Sequence, residues 1–199
     1  MVTVQKASKE DLDYIVRVHE QAFPDFFLTG LGSRFLHLYY ESVLKSKDGI
    51  LLISKMDDKC IGLCAGTVMS AGFNTRLIKA HLLRFGLEGI RILFTNPGSL
   101  IHLYKNMSKE DTNAGDDGNY AELLSIAVDP AVQHSGAGKS MIYELEMEVR
   151  QKGGTLLSLT TDYYDNNGAI SFYKSLGFET WYDFITYPDR RMYRMRKAL

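Results

Sequence analysis

From Tyr120 to Arg196, short apolar runs of two-residue period alternate with stretches of helical period, and this alternation confines the chain to an α/β architecture. A strand ends near Val128 and the turn residue Pro130 follows. A helix is predicted from Gly138 to about Lys152, a strand over Thr155–Thr161 and a second helix over Asn166–Ser175. Two closing strands are expected around Phe178–Tyr187 and Arg191–Arg196.

The first half is compatible with the same class. Val2 and Val4 alternate with polar residues, and Ser8 with Asp11 three positions on forms a helix-start signal. The helix that follows carries Leu12, Ile15, Val16 and His19 on one stripe and stops before Pro24. A second helix is predicted from Ser33 to about Ser46, on the stripe Phe35, Leu36, Tyr39, Tyr40 and Val43. The apolar runs Ile50–Ser54 and Ile61–Met69 flank a polar turn at Met56–Lys59 and read as a hairpin.

Residues 70 to 118 interrupt this order. Ala80, Leu83, Leu87, Ile90 and Phe94 recur at helical spacing, and Leu100, Leu103, Tyr104 and Met107 suggest a second, shorter helix. The stretch is treated as a helical insertion in a single domain spanning residues 1–199.

Composition excludes several functions. Lys and Arg number 23 against 24 Asp and Glu, so the chain lacks the cationic excess of a dedicated nucleic-acid binder. No run approaches the ~20 apolar residues of a membrane span, and the opening strand is unlike a leader, so a cytoplasmic location is expected. Cys60 and Cys64 lie in one apolar run and are assigned to buried packing. His19, His37, His81, His102 and His134 lack metal-ligand spacing, so no metal is expected.

Between the strand ending at Val128 and the next helix lies Gln133-His134-Ser135-Gly136-Ala137-Gly138-Lys139. Two glycines let the backbone turn sharply, and a helix N-terminus offers free amides and partial positive charge to a phosphate. Gly138-Lys139-Ser140 resembles the end of a nucleotide-binding P-loop, but that loop needs a glycine where Gln133 stands.

Val128, Pro130, Gln133, Gly136 and Gly138 match the pyrophosphate loop Gln/Arg-x-x-Gly-x-Gly/Ala, and Asn166, Ala169, Phe172, Tyr173, Gly177 and Phe178 match a second ordered signature. On these two blocks the chain resembles the GNAT superfamily of acyl-CoA-dependent N-acyltransferases. The resemblance implies a central mixed sheet flanked by helices, in which a β-bulge splays two parallel strands to admit the pantetheine arm of acetyl-CoA. The strand positions matching this role are Ile126 and Val128. Residues 133–139 would hold the pyrophosphate, and Asn166 the pantetheine or the start of its helix.

Tyr173 matches the leaving-group acid of many members. Glu122 resembles the position of a glutamate base, although four residues separate it from Ile126, about 13 Å along a strand, which favours relay through water. The expected reaction is direct transfer of an acetyl group to a small-molecule amine. The excess of Arg and Lys over acids between Ser70 and Met107 suggests a lid attracting an anionic acceptor such as a nucleotide-linked amino sugar. A non-catalytic acyl-CoA sensor is the alternative, and apolar surface on the insertion would allow a homodimer.

Overall fold

The computed structural model describes residues 1–24, 26–98, 115–187 and 189–199. Strand β1 (Val2–Lys6) leads to helices α1 (Leu12–Ala22), α2 (Phe27–Gly30) and α3 (Ser33–Lys45), then to strands β2 (Gly49–Met56) and β3 (Lys59–Thr67). Helices α4 (Phe73–Ala80) and α5 (Leu82–Thr95) follow. After them come β4 (Ala121–Val128), α6 (Ala137–Gln151), β5 (Leu156–Asp162), α7 (Asn167–Ser175), β6 (Glu179–Thr186) and β7 (Arg190–Ala198).

The strands form one sheet in the order β1-β2-β3-β4-β5-β7-β6. Only β4 and β5 are parallel neighbours, because α6 carries the chain back across one face between them. The expected mixed α/β sheet is therefore present. The β2–β3 hairpin closes on Asp57 and Asp58, both at positive φ (50° and 62°), the geometry of a two-residue turn that matches strand twist.

Alternation along the strands divides the core. Leu51, Ile53, Leu63, Ala65 and Ala127 meet α1 and α3 through Ile15, Leu36, Tyr40 and Val43. On the other face Leu52, Cys64, Leu123, Leu157 and Leu159 meet α6 and α7 through Met141, Leu145, Val149 and Tyr173. At Gly66 a Cβ would lie 2.8 Å from Leu145 Cδ1, so glycine there sets how closely α6 approaches β3.

Three expectations need amendment. Cys64 is buried, but Cys60 is half-buried and its Sγ lies 3.9 Å from Asp11 Oδ1. The described part of the insertion holds the helices α4 and α5, yet α5 buries Phe85, Glu88 and Ile92, while the predicted stripe faces outward, Leu83 at 84% and Phe94 at 82% exposed. Phe85 meets Phe35 of α3 at 5.6 Å, and Glu88 is held facing inward by Arg34 (3.1 Å) and Arg91 (2.8 Å). Periodicity reveals a helix but not which face the fold covers. The helix expected from Leu100, Leu103, Tyr104 and Met107 lies outside the described residues.

Candidate active site

Parallel pairing of β4 with β5 consists of Ala121↔Leu157, Glu122↔Ser158 and Leu123↔Leu159, after which the strands separate. The separation begins at a bulge. Against β3, Ala65 pairs with Ser125 and Gly66 with Leu123, so Leu124 is an extra residue that bends β4 away from β5. A cavity of ≈ 260 Å³ fills the gap, with Ser125, Ile126, Asn166 and Tyr173 among its walls and Phe23, Phe26 and Arg190 at its sides.

Directly beyond β4, Asp129 Oδ1 accepts the Ala131 N–H (2.9 Å) and closes a short turn, and the chain then enters α6 through His134 (φ 65°) and Gly136 (φ 84°). Both take the left-handed conformation, which is unstrained only for Gly136. No side chain caps α6, and Ser140 N–H bonds Gly136 C=O at 3.0 Å, so the first-turn amides of Ala137, Gly138 and Lys139 precede the helical ladder. A Cβ on Gly138 would lie 3.5 Å from Phe172, so this glycine also seats α6 against α7. Gln133, His134, Ser135, Gly136 and Lys139 are exposed, and Ala137 is buried. Free amides at a helix start beside a strand-edge gap suit a diphosphate continued by an extended chain.

Tyr173 is buried on α7 and lines the cavity, and burial pushes its phenol well above the ordinary value of 10. It therefore stays protonated and can donate a hydrogen bond without ionising. Asn166 lines the same cavity, but its side chain does not cap α7. Its Nδ2 donates instead to Thr161 Oγ1 (2.6 Å) and Asp162 C=O (3.1 Å), holding the end of β5 to the start of α7.

Glu122 is not among the cavity-lining residues. Its carboxylate accepts hydrogen bonds from Arg194 Nη1 on β7 and from Ser70 Oγ. Asp116, itself bonded by the Tyr120 (2.8 Å) and Tyr182 hydroxyls, lies 3.7 Å from Arg194 Nε. Glu122 thus belongs to an internal ion-pair network on the sheet face that also carries Tyr39.

Residues 13–178 match the profile of the Acetyltransferase (GNAT) family. The chain belongs to the GNAT acetyltransferase family. Its fold superposes on the ribosomal-protein-S18-alanine N-acetyltransferase of Escherichia coli with a TM-score of 0.63, at 16% identity over 100% of this chain and 94% of that one. A Salmonella typhimurium protein described as an acetyltransferase, solved with its cofactor acetyl-CoA, gives 0.64 at 16% identity, covering 100% and 94%. A mycothiol acetyltransferase of Kocuria rhizophila is 32% identical over 80 residues, 40% of this chain but only 26% of that protein.

Ile126, Asn166 and Tyr173 line one cavity. Sequence reasoning missed its far wall. Phe23 marks only a helix end before Pro24, and neither Phe26 nor Arg190, which grips Asp162 through two bonds of 2.5 and 2.6 Å, carries a motif. No described residue of the insertion lines the cavity, so the expected lid is absent among the described residues. Also among the described residues, no cluster of three metal-ligating side chains occurs and no helix is long and apolar enough to cross a membrane.

Proposed function

We propose that this GNAT acetyltransferase moves the acetyl group of acetyl-CoA to a primary amine by direct attack. The observation that carries the reading is the opening of β4 from β5 at the Leu124 bulge, with Tyr173 in its wall. Past Leu123 the edge of β4 that faces β5 has no strand partner, while β3 still pairs with the other edge, so the amides on the open side, including that of Ile126, are available to the pantetheine and to the thioester oxygen. One such donor at a developing oxyanion contributes ~3–4 kcal/mol. The first-turn amides of α6, reached through Gln133 to Gly136, would hold the diphosphate, with Val128 backbone and Asn166 along the connecting arm.

Tyr173 is assigned to the departing sulfur as a hydrogen-bond donor. Full proton transfer from a phenol whose acidity is weakened by burial to a thiolate is uphill, whereas hydrogen bonding to the leaving charge is not. Glu122 is assigned an indirect part: a carboxylate already committed to Arg194 and Ser70 holds that network, and taking up a proton would break an ion pair.

The acceptor is read as a small primary amine. Electrostatic support for an anionic amino sugar is weakened, because Arg76 pairs with Asp48 (3.3 Å), Arg84 with Glu41 (2.7 Å) and Arg91 with Glu88 (2.8 Å). The same pairing leaves the outer face of α5 without free charge from these three arginines. Leu83, Leu87, Ile90 and Phe94 are exposed there, and nothing lies within 4 Å of a Cβ on Gly86, which supports a homodimer through α5.

Calorimetric titration with acetyl-CoA, followed by thiol release with a panel of primary amines that includes amino sugars, tests the function. Binding with turnover is expected. Binding without thiol release from any amine would support the sensor, and absence of binding would overturn both readings.

A further inference from the structure

The walls of the cavity between β4 and β5 come from both faces of the sheet. Asn166 at the start of α7 and Tyr173 within it belong to the face that α6 and α7 cover over Leu123 and Leu159. Phe23 and Leu124 belong to the opposite face, with α1 and α3. Arg190 and Met192 lie on that opposite face too, because Tyr193 and Met195 of the same strand pack on the α6 side and side chains alternate along a strand. In the reading above, the diphosphate of acetyl-CoA sits at the start of α6, so the cofactor enters from the α6 and α7 side. Direct attack needs both substrates bound at once, which leaves the α1 side of the cavity to the acceptor.

Asp162 and Arg190 are the two charged residues among the described cavity walls. Arg190 Nε and Nη2 donate to the two carboxylate oxygens of Asp162 at 2.5 and 2.6 Å, and its guanidinium carbon lies 5.5 Å from the centroid of the Phe26 ring. Phe26 packs against Phe23, with centroids 6.2 Å apart, and both rings line the cavity. The guanidinium is therefore fixed at the cavity wall by two partners that themselves line it. Asp162 occupies one edge of the planar fork. Nη1 and the second hydrogen of Nη2 form another bidentate edge, whose spacing matches two carboxylate oxygens, and Arg190 donates no other side-chain hydrogen bond to a described residue. The side chains of Arg190 and Asp162 are 39% and 40% exposed, so solvent screens the repulsion between Asp162 and a second carboxylate on the shared guanidinium.

We propose that the acceptor is an amino acid with an apolar side chain, whose carboxylate is bound by Arg190 and whose amine is acetylated. The proposal rests on the reading of amine acetylation above and names the substrate class of that site. Phe23, Phe26, Leu124 and Met192 give the same side of the cavity the apolar surface that such a side chain needs. An amide in place of the carboxylate offers one oxygen and an N–H₂ group to a fork made only of donors, so one N–H is left facing another donor. A plain amine offers neither oxygen. Arg190 thus determines specificity, holding the acceptor by the group that does not react.

The test measures thiol release with leucine, methionine and phenylalanine, each beside its amide and its decarboxylated amine, with rates referred to the concentration of neutral amine. In the wild type the best amino acid should exceed its two analogues by at least about tenfold in kcat/KM, with the difference lying mainly in KM. Arg190→Gln should bring the amino acid and its analogues to within about twofold of one another, with acetyl-CoA affinity and circular dichroism native. Arg190→Lys keeps the charge without the fork and should restore only part of the preference. Should Arg190→Gln fail to fold, the wild-type comparison and calorimetric titration of the amino acid and its amide into the CoA-bound protein decide the matter. Amides or plain amines used as well as every amino acid would overturn the proposal, and so would a preference that survives Arg190→Gln. Turnover confined to amines outside these sets would overturn it while leaving amine acetylation intact. Absence of thiol release with every amine of the wider panel would instead remove the functional reading, and this assignment with it.

Discussion

Arg194 on β7 reaches past β5 to pair with Glu122 on β4, and both side chains are largely buried, 8% and 16% exposed. Removing one partner of such a pair leaves an uncompensated charge inside the fold. Glu122→Gln should therefore destabilise the protein by about 3 kcal/mol, measured by urea unfolding. The activity that remains should keep the wild-type pH profile. Recovery of activity at high pH would return Glu122 to the role of general base.

Tyr173→Phe should lower kcat by about ten- to a thousandfold while leaving the Kd for acetyl-CoA nearly unchanged, because the hydroxyl acts on charge that appears only as sulfur departs. Steady-state kinetics beside calorimetry would separate the two, and unchanged kcat would remove Tyr173 from the mechanism.

Gly136→Val places a β-branched residue at φ 84°, where a Cβ meets no neighbour, so the cost is backbone strain of about 1–3 kcal/mol rather than a clash. The turn would shift the amides of α6 away from a diphosphate. Acetyl-CoA affinity should fall at least about tenfold while circular dichroism stays native. Retained affinity would relocate the phosphate site.

His19 gives stability a pH dependence. Its pKa is lowered from 6.5 to about 4 in the fold, so between these values the unfolded chain binds more protons and stability falls as pH falls. The loss is about 3 kcal/mol, complete below about pH 4. Urea unfolding at pH 7.5 and 4.5 should show a smaller difference in His19→Gln than in the wild type. Equal differences would mean the imidazole is already charged in the fold.

If α5 mediates a homodimer, Leu87→Lys should yield a monomer by analytical ultracentrifugation at concentrations where the wild type is dimeric. A monomeric wild type at tens of micromolar would dismiss the interface, and so would a dimer unaffected by Leu87→Lys.

Much of the framework was legible in the sequence. Helical stripes such as Leu12, Ile15, Val16 and His19, the Asp57-Asp58 turn, and the loop from Gln133 to Lys139 depend on neighbours a few residues away, so local periodicity and turn chemistry determine them. Tyr173 and Asn166 stand in the second ordered motif, and both line one cavity. Only the tertiary structure decided which face of α5 is covered, that Asn166 tethers β5 rather than capping α7, and that Arg76, Arg84 and Arg91 are ion-paired to Asp48, Glu41 and Glu88. It alone joined Glu122 to Arg194 and His19 to Tyr40, across separations of 72 and 21 residues. Such partners are chosen by packing between elements, and a pattern that repeats every two or 3.6 residues carries no information about what the opposite element presents.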